Sequence, residues 1–288
     1  MTNTTVAASR RLLEVNGVRL NAELREPSGP PVRTLTLLHG FTGSAAGWGA
    51  HLDTFAAAGL RVIALDMLGH GASDAPDDAS RYAVEQCGDD ILAALGQLGV
   101  GAGRSALLGY SMGGRIALYT ALSGYFHALI LESASPGLAS KEERAMRRAS
   151  DEALAHRIER DGISSFVEEW EGLPLFASQQ SLPAERRAAL RAQRMRNRAL
   201  GLANSLRGVG TGAQPSLWDA LPRLTMPTLL IAGALDVKYM AIARQMAERL
   251  PSAQLAIVPN AGHATHFEQP AAFDEAVTAF CLEKMYAT

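Results

Sequence analysis

The chain is poor in cysteine. Its 288 residues include two, Cys87 and Cys281, which lie far apart and lack the spacing of metal ligands. The sequence therefore predicts neither a disulfide framework nor a zinc site, and we expect two buried thiols. No other pattern indicates a metal or a cofactor, so we expect a site that works with its own side chains alone.

Long apolar runs and an excess of charge are also missing. No stretch of about eighteen apolar residues occurs, and residues 1–5 have neither the basic nor the apolar segment of a secretion signal. The formal net charge of -2 gives no long-range field that would attract nucleic acid or an anionic membrane. We therefore expect a cytoplasmic protein whose partner is a small molecule, with neither nucleic acid nor a membrane as a partner.

Apolar runs of strand length alternate with helical patterns through much of the chain. The pair Asn16-Gly17 is typical of a type I′ turn and predicts an antiparallel hairpin at the start of the chain. Further strands are predicted at residues 34–38, 61–65, 106–108, 128–131, 227–232 and 254–258. Helices are predicted at about 46–58, 84–98 and 270–285; one more begins at about residue 116, and another ends at about residue 250. Such alternation predicts an α/β fold with a doubly wound, mostly parallel sheet.

The strand signal disappears between about residues 136 and 224. Three helical patterns replace it, at residues 142–160, 163–171 and 183–200. We interpret residues 136–224 as a helical lid inserted into a core formed by residues 1–135 and 225–288.

One predicted strand ends in the pattern Gly-x-Ser-x-Gly, as Gly109-Tyr-Ser111-Met-Gly113. This pattern between strand and helix is typical of a nucleophile elbow, a tight turn that holds the serine in a strained conformation and leaves no room for a Cβ two residues on either side. The five residues alone decide little, and a serine in an exposed loop is the alternative. The apolar strand before the turn and the apolar helix pattern after it favour the nucleophile.

A serine nucleophile needs a base to take its proton and an acid to orient that base. In a sheet of this kind the three follow the order serine, acid, histidine, each on a loop at the carboxyl end of a strand. Asp236 and His263 fit this order and these positions. Glu132, at the end of the strand after the elbow, is the rival acid, and His266 is the rival base.

The oxyanion site is expected from two backbone amides. The N–H of Met112 follows the nucleophile, and the N–H of Phe41 lies in the loop His39-Gly40-Phe41 after the first parallel strand. A simple connecting loop is the alternative for that segment.

Arginines are concentrated in one part of the predicted lid. Residues 186–207 contain seven arginines and no acidic residue, and Arg187, Arg191, Arg194 and Arg198 fall at helical spacing on one face. Many exposed arginines only solvate a helix. Arg115 differs because it lies four residues after Ser111, where a guanidinium could hold a carboxylate of a polyanionic small substrate.

Several motifs resemble a known family. The chain from about residue 35 to 275 resembles the α/β-hydrolase fold and, within it, the MenH family of 2-succinyl-6-hydroxy-2,4-cyclohexadiene-1-carboxylate synthases of menaquinone biosynthesis. The motifs are His39–Ser44 with Trp48, Asp66–Gly71, Gly109–Arg115, Trp170–Phe176, Gly201–Gly212 and Ala261–Ala264. The first two are general to the superfamily, and the third, fourth and fifth are much narrower.

The resemblance implies a lyase that eliminates pyruvate from 2-succinyl-5-enolpyruvyl-6-hydroxy-3-cyclohexene-1-carboxylate, with no acyl-enzyme. Ser111, activated by His263 and Asp236, would then be the base, and the three carboxylates of the substrate would account for the arginines. By motif position, the substrate contacts implied are Tyr110, Arg115, Arg147, Trp170, Arg194 and, as a further candidate, Lys238.

Two other functions remain open at this point. A serine hydrolase of a small ester, thioester or C–C bond would use the same three residues, with Ser111 as a true nucleophile. A binding protein that retains the fold without catalysis is the other alternative, which the complete set of serine, acid and histidine disfavours.

Overall fold

A computed structural model describes residues 6–31 and 33–286 of the chain. The segment at residues 1–5 lies outside these ranges. Eight strands form one sheet: β1 (Ala7–Val15), β2 (Val18–Glu26), β3 (Thr34–Leu38), β4 (Arg61–Leu65), β5 (Ser105–Tyr110), β6 (Ala128–Glu132), β7 (Thr228–Gly233) and β8 (Ala253–Val258).

The sheet is mostly parallel, as predicted. Its strand order is β1-β2-β4-β3-β5-β6-β7-β8. β1 pairs antiparallel with β2, β2 pairs antiparallel with β4, and all the other pairs are parallel. The hairpin turns at Asn16 and Gly17, whose φ angles of 46° and 82° match the two positive φ values of a type I′ turn.

Helices cover both faces of this sheet. They are α1 (Ala50–Ala57), α2 (Val84–Gln97), α3 (Met112–Ala121), α4 (Lys141–Glu171), α5 (Ala184–Met195), α6 (Ala199–Val209), α7 (Val237–Ala247), α8 (Thr265–Glu268) and α9 (Pro270–Tyr286). One apolar cluster lies between the sheet and α2 and α3, and a second lies between the sheet and α1 and α9. Cys87 is buried in the first cluster and Cys281 in the second, and both are free thiols, as expected. Among the helices of the described ranges, none is long and apolar enough to cross a membrane.

The single helix predicted at about residues 46–58 is interrupted. A short 3-10 helix at Ala45–Trp48 is followed by α1, and Gly49 separates them with φ 49° and ψ -126°. Only glycine adopts such a conformation without strain, so the chain changes direction there and the side chain of Trp48 enters the core.

Helices α4, α5 and α6 are inserted between β6 and β7. The two helices predicted at 142–160 and 163–171 form α4, which is kinked at Gly162, where φ is 80°. The single helix predicted at 183–200 is wrong, since α5 ends at Met195 and α6 begins at Ala199. Asn197 explains the break, because its side chain amide donates to the backbone oxygens of Arg194 and Thr42 and so ends α5. The division into a core and a lid at residues 136 and 224 stays a prediction.

Candidate active site

Ser111 lies in a strained turn between β5 and α3. Its φ and ψ angles are 52° and -107°, a region that residues with a side chain rarely adopt. The turn is tight: a Cβ on Gly109 would lie 2.3 Å from the backbone oxygen of Gly113, and one on Gly113 would lie 2.3 Å from the backbone oxygen of Leu38. The glycines of the motif therefore allow the serine to stand at the carboxyl end of the sheet.

The structure brings Ser111, His263 and Asp236 together. The Nε2 atom of His263 lies 3.0 Å from the Oγ atom of Ser111, and its Nδ1 atom lies 2.8 Å from the Oδ2 atom of Asp236. Because the carboxylate accepts from Nδ1, it fixes the tautomer in which Nε2 can take the proton of the serine. This geometry is what base-assisted activation of a serine requires.

The local fold fixes the carboxylate of Asp236. Asp236 follows β7 and caps the N-terminus of α7, where its Oδ1 atom accepts a hydrogen bond of 3.1 Å from the backbone N–H of Tyr239. The aromatic ring of Tyr239 in turn packs 4.5 Å from the ring of His263. One oxygen of the carboxylate is thus held by the helix, and the other is left to hold the histidine.

The rival acid and the rival base pair with each other. Glu132 accepts hydrogen bonds from the Nδ1 atom of His266 at 2.8 Å and from the hydroxyl of Thr265 at 2.7 Å. Neither side chain forms a hydrogen bond to Ser111 Oγ. The pair holds the segment after His263 against the end of β6.

Glu268 also holds the backbone next to His263, and it was not identified from the sequence. Its carboxylate accepts from the backbone N–H of Gly262 at 2.6 Å and from that of Ala264 at 3.2 Å, the residues on either side of His263. Glu132 and Glu268 therefore fix the backbone on both sides of the histidine.

The loop after β3 brings the amide of Phe41 to the cavity that contains Ser111 and Met112. Within the described residues, the N–H groups of Phe41 and Met112 donate to no protein acceptor. Two buried histidines support the loop. His39 donates from Nδ1 to the oxygen of Gly40 and accepts from the N–H of Met67, which requires a neutral ring.

His70 is the second of these histidines, and its Nε2 atom binds the backbone oxygen of Phe41. The ring is fully buried, and burial lowers the pKa of His70 to about 4. The imidazole is therefore neutral at neutral pH and has one N–H, which it can donate to the backbone oxygen of Phe41 through Nε2 or to that of Leu68, 3.1 Å from Nδ1. Protonation in the folded state requires a pH of about 4.

The burial of His70 predicts a loss of stability in acid. Because the pKa is about 4 in the folded state and about 6.5 in the unfolded state, the unfolded chain binds more protons between these values, and the stabilisation present above pH 6.5 is lost as the pH falls towards 4. The expected loss is about 2 kcal/mol between pH 8 and pH 5. Urea unfolding at the two pH values measures the total loss, to which His39 and His127 also contribute because burial lowers the pKa of each. The part due to His70 is the difference between the wild-type protein and His70→Gln. His70→Gln, which keeps a donor for Phe41, should show a smaller loss, and an equal loss would contradict this assignment.

A cavity of about 500 Å³ opens over Ser111. It is lined by the elbow and α3, by the loop after β3, by residues of the insertion and by residues that follow β7 and β8. All six substrate contacts implied by the resemblance lie in this lining: Tyr110, Arg115, Arg147, Trp170, Arg194 and Lys238. Trp170 packs against Phe41 with the ring centroids 5.3 Å apart, and its buried indole N–H has no partner within the described residues.

The arginines of the cavity differ in how they are held. Arg147 pairs with Asp151 at 2.7 Å, and Arg194 pairs with Glu171 at 3.1 Å. Arg115 has no carboxylate partner among the described residues and donates only to neutral oxygens. Lys238 is exposed, and its Nζ atom lies 5.7 Å from the centroid of the Tyr239 ring.

A sequence model of the α/β hydrolase family matches residues 37–276 of the chain. The chain belongs to the α/β-hydrolase family. It is 44% identical over 245 residues to a putative 2-succinyl-6-hydroxy-2,4-cyclohexadiene-1-carboxylate synthase of Bacillus subtilis, covering 84% of this chain and 88% of the relative. It is 34% identical over 249 residues to the synthase of that name from Salmonella paratyphi C, covering 85% and 92%.

Solved structures agree with this placement. MenH from S. aureus superimposes with a TM-score of 0.87 at 34% identity, covering 91% of this chain and 98% of that one. A thermophilic esterase from Thermogutta terrifontis, solved with malate bound, gives a TM-score of 0.82 at 25% identity, covering 97% and 100%. The resemblance to the MenH group of the α/β-hydrolase family is thus confirmed.

In this α/β-hydrolase the arginine-rich segment is less cationic than its sequence indicates. Acidic residues of α4 reach across to it: Glu171 pairs with Arg191 and Arg194, and Glu152 and Glu159 pair with Arg207. The prediction that Arg198 shares a face with the arginines of α5 is wrong, since α5 ends before it.

Other residues of the cavity were missed by sequence reasoning. Tyr239 packs on His263. The guanidinium of Arg194 lies 5.3 Å from the centroid of the Phe176 ring, and it donates to the Oε1 atom of Gln179 at 2.9 Å. The only signal for Phe176 was the lid motif itself. Tyr239 could have been found as the residue three positions after Asp236, one helical turn from the acid.

Proposed function

We propose that this chain is a lyase of menaquinone biosynthesis that eliminates pyruvate from 2-succinyl-5-enolpyruvyl-6-hydroxy-3-cyclohexene-1-carboxylate to give 2-succinyl-6-hydroxy-2,4-cyclohexadiene-1-carboxylate. The observation that carries the proposal is the 44% identity over most of both chains to a protein of that name. The cavity supports it, because Arg115, which is buried and pairs with no acidic residue in the described part of the chain, lines the same space as Ser111.

The proposed reaction begins at Ser111. Its hydroxyl proton passes to the Nε2 atom of His263, and the Oγ atom takes a proton from the cyclohexene ring. The electron pair of the broken C–H bond moves towards the succinyl carbonyl, and the amides of Phe41 and Met112 stabilise the enolate oxygen that develops there. Asp236 stabilises the imidazolium that forms.

Collapse of the enolate completes the elimination. The electron pair returns to the ring as a new C2=C3 bond, the existing C3=C4 bond moves to C4=C5, and the bond between C5 and the enolpyruvyl oxygen breaks. The leaving group departs as the enolate of pyruvate and receives a proton from the imidazolium of His263. Ser111 then carries the proton taken from the ring, so both groups return to their starting state and no acyl-enzyme forms.

The basic residues of the cavity would hold the three carboxylates of this substrate. Arg115 contributes an uncompensated guanidinium, while Arg147 and Arg194 would share their charge with Asp151 and Glu171. Tyr110, Trp170 and Lys238 complete the proposed contacts. We also propose that residues 136–224 act as a lid over this cavity and that the enzyme works in the cytoplasm.

A serine hydrolase is the second candidate function. The esterase with a TM-score of 0.82 favours it, because the same arrangement of serine, histidine and two amides would also serve acyl transfer. In that case Ser111 would attack a carbonyl carbon and an acyl-enzyme would accumulate.

Pyruvate release separates the two functions. The enolpyruvyl substrate is generated in place by the preceding pathway enzyme, and pyruvate is measured beside a p-nitrophenyl acetate burst assay. We expect rapid release above the spontaneous rate, with little ester turnover. Release at the background rate together with an ester burst would contradict the lyase and favour the hydrolase.

A further inference from the structure

Arg115 is held in a way that the other cavity arginines are not. Its Nη1 atom donates to the backbone oxygen of Val209 and to the Oε1 atom of Gln214, each at 2.8 Å. Arg147 and Arg194 each donate to a carboxylate instead. Within the described residues the Nε and Nη2 donors of Arg115 form no hydrogen bond, and the side chain lines the cavity. Arg115 therefore presents a full positive charge and free donors to a ligand.

Gln214 lies behind Arg115 and outside the cavity lining. It is 1% exposed, in the turn after α6, where its backbone N–H donates to the oxygen of Gly210 at 3.1 Å. Its Nε2 atom is buried without a partner in the described part of the chain. The oxygen must face Arg115, because the reversed amide would place donors against donors. Gln214 therefore supports the guanidinium through a neutral acceptor.

The neutrality of this acceptor has a physical consequence. Arg115 is 9% exposed, and a buried cation is costly unless an anion lies near it. A carboxylate at position 214 would supply that anion from the protein and would compete with the carboxylate of a ligand. An amide fixes the same geometry and adds no charge. Apart from Asp151, which lies near enough to favour the charge of Arg115 but forms its ion pair with Arg147, the neutralising anion is left to the ligand.

We propose that Gln214 is a positioning residue that sets the affinity of the cavity for carboxylates by holding Arg115 without neutralising it. The identity of the natural ligand rests on the proposed function, whereas the role of Gln214 concerns any carboxylate that reaches Arg115.

The chain offers a pair of isosteric substitutions beside two cavity arginines, one at Gln214 outside the cavity lining and one at Gln179 within it. Gln214→Glu adds a carboxylate beside Arg115, which has none, and Gln179→Glu adds one beside Arg194, which already pairs with Glu171. Gln214→Leu removes the acceptor and keeps the charge of Arg115 uncompensated. Arg115→Met removes the positive charge itself and therefore shows the largest loss of affinity that can be due to Arg115.

The first measurement is calorimetric binding of 2-succinylbenzoate, which has two carboxylates and no enolpyruvyl group, so that binding is read without turnover. We expect Gln214→Glu to weaken binding roughly 10-fold to 100-fold, the range for losing a hydrogen-bonded charge pair. Gln214→Leu and Gln179→Glu should each weaken it less, by about 5-fold. The dimethyl ester of the probe should bind the wild-type and Gln214→Glu proteins equally.

The kinetic measurement is pyruvate release, in which Gln214→Glu should raise KM by a similar factor and change kcat by less than about threefold. A purely structural role for Gln214 would predict the opposite order, with Gln214→Leu the more damaging variant. That order overturns the proposal, as does wild-type affinity in Gln214→Glu or failure of the wild-type protein to bind the probe.

Two further outcomes are distinguished by the design. If the Gln214→Glu protein does not fold, as judged by its thermal unfolding, the comparison of Gln214→Leu with Arg115→Met decides: the proposal requires that Gln214→Leu keep most of the affinity that Arg115→Met loses. If the wild-type protein releases no pyruvate but binds the probe with the expected ranking, the proposed function fails and the role of Gln214 stands.

Discussion

Ser111→Ala is expected to lower kcat for pyruvate release by roughly 10⁴-fold and to change the dissociation constant of the substrate by less than about threefold. The hydroxyl that hydrogen-bonds to His263 at 3.0 Å is the only group removed. Arg115 and the two amides proposed for the oxyanion site stay in place, so ligand binding should survive. Alanine also adopts the conformation at φ 52° at no greater cost than serine, so the turn itself should be unchanged.

The measurement is single-turnover pyruvate release beside calorimetric binding of 2-succinylbenzoate. The elimination has an uncatalysed background, so a reaction without enzyme sets the floor. Ser123→Ala is a matched control, because Ser123 follows α3 at the end remote from the elbow. Its hydroxyl donates to the oxygen of Thr120 and accepts from the backbone N–H of Tyr125. Turnover near the wild-type rate in Ser111→Ala would exclude this serine as the base.

The strands were predictable because of how parallel sheets are buried. A strand covered on both faces is a continuous apolar run, so residues 34–38 and 61–65 were located in the sequence with the bounds that the structure shows. The positions of Asp236 and His263 followed from the same rule, since the carboxyl ends of parallel strands meet at one edge. The sequence order along the chain therefore carried most of the information about these two side chains.

The helical insertion was less predictable because tertiary contacts decide its breaks. Residues 184–200 include neither proline nor glycine. Helix α5 ends where the Asn197 side chain reaches the oxygen of Thr42, 155 residues away in the chain. The charge of the arginines depends on similar contacts. Glu171 lies 23 residues before Arg194, so the absence of acidic residues within 186–207 gave a false impression of an unpaired cationic face.

Asp236→Asn is expected to lower kcat for pyruvate release by roughly 10³-fold to 10⁴-fold, while Glu132→Gln should keep most of the rate. Asp236 accepts from the Nδ1 atom of His263 at 2.8 Å, and its replacement by an amide favours the opposite tautomer, in which Nε2 carries a proton and cannot take that of Ser111. Glu132 hydrogen-bonds to His266 and Thr265 and not to His263. Glu132→Gln should therefore lower the free energy of unfolding while most of the turnover rate is kept.

The pair of variants decides between the two candidate acids. Both substitutions replace a buried carboxylate by an isosteric amide near the same loop, so a general effect of lost charge should appear in both. Turnover rates are compared per folded enzyme at substrate concentrations that occupy the cavity equally, and binding of 2-succinylbenzoate checks that the variants still bind. The free energy of unfolding is measured separately by urea unfolding. A larger loss of kcat in Glu132→Gln than in Asp236→Asn would assign the orienting acid to Glu132. The opposite result would establish that the carboxylate capping α7 maintains His263 in the tautomer that accepts the proton.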